Sequence, residues 1–536
     1  GRRLCSFHLT ARCAFFHSKL AVPSLSVPHS FLCFWAFTAL RSMLRYFPVA
    51  LLAGAALAAP SLRCRNETAA WPTDIQGLVL DEASPEWENL TARWSTYSAP
   101  TFNELFLPHT IEDVSLALGY LSAIDKPFLA QSGGHGYAPS LHVIQNATLI
   151  NMINFGYINV NDDGTATVGS GSRFRDVVAA VGGAGREFTV GNCPCVGAVG
   201  ATIGGGLGRL QGLHGLSSDA LLSARVVLWN GTIAEVSADS HSDLFWGIRG
   251  AGQNFGIIAE AVFQTYPATN GGLQYSADLL IPFENLGAVV DITNDLLNEG
   301  LAPALALLFV ISYNAEIGQP TIVMNIVYAG PEAEGQAVAE LFRPYAVQFQ
   351  AMMTPWTELA NTALFGGFNF PCETAGPIDQ YHVLARNIHA ETLQEQVQYY
   401  AEFMAATPGA AGSSIMIEAF AQQAVQAHSD DFSAFPHRQN FHTALVWAMT
   451  WSDDSVGPDA DAFAKEWRDR FSESDISGYE NMHVYQNYAN DDEPLSALYG
   501  VDTWRQERLT ALKDAYDPHG HFDGYHPVPK SVPDWS

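Results

Sequence analysis

Seven glycines fall within residues 191–208, and this density limits the fold more than any other feature of the chain. Glycine weakens helices and strands alike, and it is used where backbone must come close to another group. The run reads Gly191-Asn192-Cys193-Pro194-Cys195-Val196-Gly197, then Gly200, then Gly204-Gly205-Gly206-Leu207-Gly208. It implies backbone packed tightly against a flat ligand. A second glycine loop, Gln131-Ser132-Gly133-Gly134-His135-Gly136-Tyr137, follows a short apolar strand at 128–130. Glycines placed after a strand let backbone N–H groups converge on an anion such as a pyrophosphate. A histidine in such a loop has no core to fill, although an incidental turn histidine is the simpler reading of that loop alone. The Cys193-x-Cys195 pair admits a metal or redox reading. A metal site is disfavoured, because no second Cys or His pair stands at ligand spacing.

Around these loops the pattern is one of short alternating elements. The apolar spacing of Ile111, Val114, Leu118 and Leu121 predicts a helix over 111–124, with Thr110 as N-cap. Strands are expected at 148–153 and 165–168, a helix at 174–181, and a hairpin of 222–228 with 232–236 turning at Asn230-Gly231. A loop-forming cluster at 266–272 marks a domain boundary. Beyond it, strands at 305–311, 321–327 and 443–451 mix with helices at 331–342 and 391–406. That texture predicts an antiparallel sheet with helices on one face. A last helix is expected at 503–516.

Residues 1–59 carry six basic residues and no acidic one. Met43-Leu44-Arg45 precedes a short apolar run ending in small residues, which reads as a secretory signal peptide over 43–59. Residues 1–42 then read as an upstream extension. The run is too short for a membrane anchor. The remaining chain has 20 basic residues against 55 acidic ones, a net charge of −35. A surface of that sign repels phosphate backbones, so nucleic acid is not an expected partner. Sequons at Asn66, Asn89, Asn146 and Asn230 suit a secreted glycoprotein. Four cysteines remain past the signal: Cys64, Cys193, Cys195 and Cys372. They allow one bridge without naming its partners.

A third glycine-bearing stretch spans residues 243–258. It does not join a strand to a helix through G-x-G-x-x-G with a following acid, so a Rossmann nicotinamide site is disfavoured. Taken together, in this order and spacing, the motifs resemble the berberine bridge enzyme-like branch of the vanillyl-alcohol oxidase superfamily. The resemblance is strong over residues 100–270, clear over 485–529, and otherwise carried by Ala434-Phe435-Pro436-His437-Arg438.

That resemblance implies an α+β fold: a PCMH-type FAD-binding domain of two α/β subdomains over 60–270, a substrate domain over 271–484, and a C-terminal module over 485–536 packing on the FAD domain. The substrate domain would hold an antiparallel sheet covered by helices. The resemblance also implies covalent FAD. His135 matches the histidine that bonds the flavin 8-methyl carbon, and Cys193 the cysteine that bonds ring carbon 6. Cys195 stands where the family usually has Thr, but Pro194 and Val196 keep their places, so the register favours Cys193. Ser132, Gly133, Gly134 and Gly136 match the pyrophosphate loop. Gly197, Gly200 and Gly204 match positions along the ribityl and pyrophosphate region, and Gly256 and Ile258 match positions near the adenine half. Val196 matches a position beside the flavin where valine leaves room for molecular oxygen.

The segment Val484-Tyr485-Gln486-Asn487-Tyr488 reads as a strand with Tyr485 and Asn487 on one face. By resemblance, Tyr485 would deprotonate a substrate hydroxyl, and Asn487 would hold flavin or substrate. The expected activity is oxidation of an alcohol, sugar or natural-product C–H, with oxygen giving hydrogen peroxide. Oxidative cyclisation and use of another acceptor are alternatives.

Overall fold

The computed structural model describes residues 70–368, 376–439 and 443–535. The expected extension and signal peptide, Asn66, Cys64 and Cys372 lie outside the described residues.

Three main sheets build the protein. In the first, β1 (Val79–Leu80), β2 (Phe102–Phe106), β3 (Phe128–Gln131) and β4 (Ala147–Asn151) lie in the order β1-β2-β4-β3, with β4 parallel to both of its neighbours. The helix Ile111–Ala123 makes the crossover from β2 towards β3. Its N-cap is Thr110, whose Oγ1 accepts from the Asp113 N–H at 3.2 Å while the Asp113 carboxylate accepts from the Thr110 N–H at 2.9 Å. Its apolar stripe buries Val114, Leu118 and Leu121 against Phe106 and Ile150. The short β3 therefore ends in a fixed direction, and the His135 loop begins where it stops.

The second sheet contains β5 (Ile158–Val160), β6 (Thr165–Gly169), β8 (Leu221–Val227), β9 (Ile233–Ser237) and β10 (Ile257–Gln264), in the order β5-β6-β10-β8-β9 and antiparallel throughout. A two-stranded ribbon, β7 (Arg186–Glu187) with β11 (Tyr266–Pro267), stands beside it. The expected hairpin forms between β8 and β9, with Gly231 at φ +83°. Leu498, Tyr499, Leu509, Leu512 and Val528 of the C-terminal segment share one apolar core with Val168, Val226 and Phe255 of this region.

The third sheet has seven strands: β12 (Leu273–Pro282), β13 (Leu305–Asn314), β14 (Gln319–Tyr328), β15 (Gln348–Pro355), β16 (Ile378–Ala385), β17 (Ser414–Phe420) and β18 (Thr443–Thr450). Their order is β15-β12-β14-β13-β17-β18-β16, and every pairing is antiparallel. Alternation assigns the faces. Leu307, Phe309, Ile311, Ile322, Met324, Ile415 and Trp447 point to one side. There they bury against the helices Leu286–Glu299, Glu332–Phe342, Ala390–Ala406 and Gly457–Phe471. The intervening residues point the other way, towards the glycine loops. The α+β class and the helix-covered antiparallel sheet expected from the sequence are both present. Among the described residues, no helix is long and apolar enough to cross a membrane.

Candidate active site

A cavity of about 650 Å³ opens where the seven-stranded sheet faces the two glycine loops. Ser132, Gly133, Gly134, His135 and Gly136 line it from one loop, and Cys193, Val196, Gly197 and Gly200 from the other. Tyr485, Asn487 and Tyr488 complete it from the segment that follows β18 in the chain. A smaller cavity of about 160 Å³ carries Gly256 and Ile258 in its wall. Gln131, Ser132, Gly200, Gln253 and Tyr525 line both cavities, so one long ligand could reach from the His135 end to the Gly256 end.

Several of the glycines are required by close packing of one loop on the other. A Cβ on Gly133 would fall 2.4 Å from the Gly197 nitrogen, and a Cβ on Gly197 would fall 2.4 Å from the Ser132 Oγ. The two loops are thus pressed on each other, and no larger residue fits between them. Gly200 alone of the expected flavin-side glycines meets nothing within 4 Å and faces open cavity. Gly204 is not in the cavity wall. It lies under Asn487, where an added Cβ would stand 1.9 Å from the Asn487 Oδ1.

His135 stacks on Trp94 with ring centroids 5.2 Å apart. Burial, and then the nearby Arg173 and Arg93 charges, push its pKa down to about 4, so the imidazole is neutral at physiological pH. Its Nε2 is buried with no hydrogen-bond partner. Arg93 braces the loop through the Gln131 side chain at 3.2 Å and the Gly136 carbonyl.

Cys193 is a free thiol, whereas Cys195 is disulfide-bonded. A ring nitrogen of His135 and both sulfurs lie within 4.8 Å of one another. That trio has the composition of a metal site, but a disulfide sulfur is not a thiolate ligand. Two remaining ligands are too few for a closed zinc site. Of the two cysteines, Cys193 is the one whose sulfur is not already held in a disulfide. Burial raises its pKa, opposed by the backbone N–H groups of Cys195 and Val196.

The segment at 484–488 is not a strand. Gln486–Tyr488 forms a 3-10 turn, with the Tyr488 N–H bonded to the Tyr485 carbonyl at 2.8 Å. The turn still brings Tyr485 and Asn487 together, because its tight pitch folds position 487 back over 485. Asn487 Nδ2 donates to the Tyr485 hydroxyl at 2.6 Å and to the Ala201 carbonyl at 2.8 Å. The Tyr485 oxygen also accepts from the Gly206 N–H at 2.9 Å and the Leu207 N–H at 3.4 Å. Burial is the larger influence and pushes the phenol up to about 12, while these donors act against it. Tyr488 enters the same cavity and donates to Glu418 Oε2 at 3.3 Å.

Sequence reasoning missed the polar row beneath the cavity. Asp278, Asn325 and Glu418 sit in apolar strand runs and fall in one cross-strand row, Asp278 opposite Asn325, with Leu308 between Asn325 and Glu418. Arg209 reaches Asn325 and donates to Asn192 at 3.1 Å, and Asn192 donates to Glu418 at 2.8 Å. Burial lifts Glu418 to about 7 against the pull of Asn192, Tyr488 and Arg209. The readable signal was a carboxylate or amide set between apolar neighbours in each of three strands: Asp278 between Ala277 and Leu279, Asn325 between Met324 and Ile326, and Glu418 between Ile417 and Ala419, which a buried network explains. His382 was missed too. It accepts the Tyr485 N–H at Nδ1 (3.3 Å), and its ring stands edge-on to both Tyr485 and Tyr488.

The fit of this site to a flavin dinucleotide rests on its unpaired polar atoms. His135 Nε2, Tyr137 OH, Ser170 Oγ and Gln253 Oε1 are all buried without partners, and all belong to residues that line the two cavities. Buried polar groups in proteins are rarely left unpaired, so a ligand with polar atoms along its length belongs there. A fused cleft with a glycine-loop cradle and a neutral imidazole beside a free thiol defines a flavin-binding protein.

Comparison with known proteins gives the family. Residues 103–237 match a family model described as an FAD binding domain. The FAD-linked oxidoreductase OXR1 of Pyricularia oryzae is 33% identical over 511 residues, covering 91% of this chain and 99% of that protein. This chain belongs to the FAD-linked oxidoreductases, with FAD as its cofactor. Its fold is shared with Physcomitrella patens BBE-like 1, at TM-score 0.73 and 20% identity over 84% of this chain and 97% of that one. It is shared as well with the glucooligosaccharide oxidase of Acremonium strictum, described as carrying 6-S-cysteinyl, 8α-N1-histidyl FAD. That match has TM-score 0.72 and 21% identity over 84% of this chain and 96% of that one. The resemblance to berberine bridge enzyme-like flavoproteins therefore holds over the fold as well as the motifs.

Proposed function

We propose that this protein is an oxidase that holds FAD through two bonds, at His135 and Cys193, and oxidises the C–H of an alcohol, sugar or natural product. The carrying observation is the convergence of neutral His135 and the free Cys193 thiol in the cavity that also holds Tyr485. An imidazole lone pair and a thiolate are the side-chain nucleophiles suited to an electron-poor ring. When bound, FAD supplies the hydride acceptor, and oxygen takes the electrons on to hydrogen peroxide.

The side chains supply the rest. Ser132, Gly133, Gly134 and Gly136, which line the cavity, would cradle the pyrophosphate with backbone N–H groups. Tyr485 takes the proton of the substrate hydroxyl as hydride leaves the adjacent carbon. The Gly206, Leu207 and Asn487 N–H groups donate to its oxygen, which favours the phenolate form that accepts the proton. Asn487 positions that oxygen.

Val196 lines the cavity and supports oxygen as acceptor. A hydrogen peroxide assay over sugars, alcohols and alkaloid-like compounds tests the reaction. Val196→Leu is expected to slow reoxidation by oxygen at least tenfold while leaving reduction by substrate within about twofold, since one methylene fills the oxygen space and touches no reacting group. Equal oxygen reactivity in the two proteins removes Val196 from the argument, and substrate turnover only with dyes removes oxygen.

The protein is secreted in this reading, after cleavage of the segment at 43–59. Asn89, Asn146 and Asn230 are all exposed, as glycan acceptors must be. Enzymatic deglycosylation of the protein from culture medium is expected to lower its mass. Retention inside the cell with an unchanged mass overturns the assignment.

A further inference from the structure

The wall that faces the glycine loops across the cavity is ordered in rows by strand register. The deepest row holds Asp278, Asn325 and Glu418, and their polar atoms are turned on protein partners. Asp278 accepts from Asn325 at 2.7 Å and from the Leu364 and Phe365 N–H groups at 2.8 and 3.0 Å. Asn325 is engaged by Arg209, and Glu418 by Asn192 and Tyr488. The next row is apolar: Val323 pairs with Val310, and Val310 with Met416. The outer row runs Ser414, Ala448, Gln380.

Leu364 and Phe368 close this wall. Leu364 and Phe365 have φ of +58° and +55°, two consecutive non-glycine residues in the left-handed region. Such backbone is strained and persists only where its surroundings fix it. Here the Asp278 carboxylate takes both N–H groups. The turn is therefore a built feature that sets Leu364 against the cavity.

Among the described residues, this sheet and turn contribute eight side chains to the cavity, six of them apolar and two, Gln380 and Ser414, polar. An oligosaccharide carries a hydroxyl on nearly every ring carbon, and each one buried without a partner is penalised. A planar apolar ring system loses nothing against Val310, Val323 and Met416 and gains by leaving water.

We propose that the substrate is a flat, largely apolar carbinol, aromatic or conjugated, whose single reacting hydroxyl meets Tyr485. The Asp278-held turn at Leu364 acts as the specificity wall that excludes oligosaccharides. This rests on the reading of Tyr485 as the proton acceptor, so the test separates binding from reduction.

The flavin-loaded protein is titrated without oxygen, using 2-naphthylmethanol and cellotriose, while the visible flavin band is followed. A spectral shift reports binding, and bleaching reports reduction. Naphthylmethanol is expected to half-saturate at a concentration at least tenfold below cellotriose. Met416→Gln, close to isosteric, is expected to raise that concentration at least fivefold, and Asp278→Asn to raise it through the freed turn. The proposal is overturned if cellotriose binds as tightly or more tightly. It is also overturned if neither compound shifts the band, or if Met416→Gln leaves the naphthylmethanol titration unchanged. Tight naphthylmethanol binding without bleaching supports the wall while sinking the role given to Tyr485.

Discussion

Replacing both His135 and Cys193 with alanine is expected to release all of the flavin on acid precipitation, whereas either single replacement keeps the pellet yellow. The expectation follows from two side chains of different readiness. His135 is neutral at physiological pH, because burial and two nearby arginines hold its pKa down to about 4, so its lone pair is available throughout the neutral range. Cys193 is a half-buried thiol whose pKa desolvation raises, and the thiolate is the reactive form. Below that pKa the thiolate fraction grows about tenfold per pH unit. In His135→Ala, acid-stable flavin is therefore expected to accumulate faster at pH 9 than at pH 7. In Cys193→Ala, attachment through His135 is expected to depend little on pH above about 5. Cys195 is disulfide-bonded and offers no substitute thiol. Flavin retained by the double variant after acid would falsify the assignment, as would complete release from the unmodified protein. Flavin-peptide mass spectrometry locates the bonds directly.

Tyr485→Phe is expected to lower the rate of flavin reduction by about 10²–10⁴-fold, the usual contribution of a positioned acid or base, with flavin content unchanged. A tyrosine that only filled core would produce a different result: lower melting temperature and little change in rate per bound flavin. The pH profile separates the cases further. A base acts when deprotonated, and burial holds this phenol at about 12, so kcat/KM for reduction is expected to rise towards alkaline pH. Asn487 donates to the phenolic oxygen and favours the phenolate. In Asn487→Ala the phenol pKa therefore rises, and the ascending limb moves to higher pH. Gly204→Ala is expected to mimic that variant, because its Cβ would occupy the space of the Asn487 Oδ1. Flat pH dependence in the unmodified protein, or an Asn487→Ala profile shifted to lower pH, removes Tyr485 as the base.

Much of the fold was legible because its signals are local. The Thr110 cap, the apolar stripe of the helix after it and the Asn230-Gly231 hairpin depend on residues within a few positions of each other. So does the β3-to-glycine-loop junction that presents His135. The apolar runs at 305–311 and 321–327 likewise announce strands, which form as Leu305–Asn314 and Gln319–Tyr328 under a cover of helices. The same locality misled at 484–488. Alternating side chains suggested a strand, but the segment pairs with no second strand there, and it closes a 3-10 turn.

The sequence by itself placed a histidine and a cysteine in glycine-rich loops, in the order of a flavin-binding family. Its register favoured Cys193 over Cys195, but it could not say which of the two is held in a disulfide, because pairing depends on which sulfurs meet in space. Nor could it say why the glycines are needed. Gly133 and Gly197 stand 64 residues apart, and only folding presses one against the other. The polar row of Asp278, Asn325 and Glu418, and the apolar row beside it, exist only once strand register aligns them. Tertiary structure therefore decided what surrounds the reactive pair: a neutral imidazole next to a free thiol, a phenol held by three N–H donors, and a largely apolar wall opposite. Those are properties of burial and distance, which no spacing along the chain records.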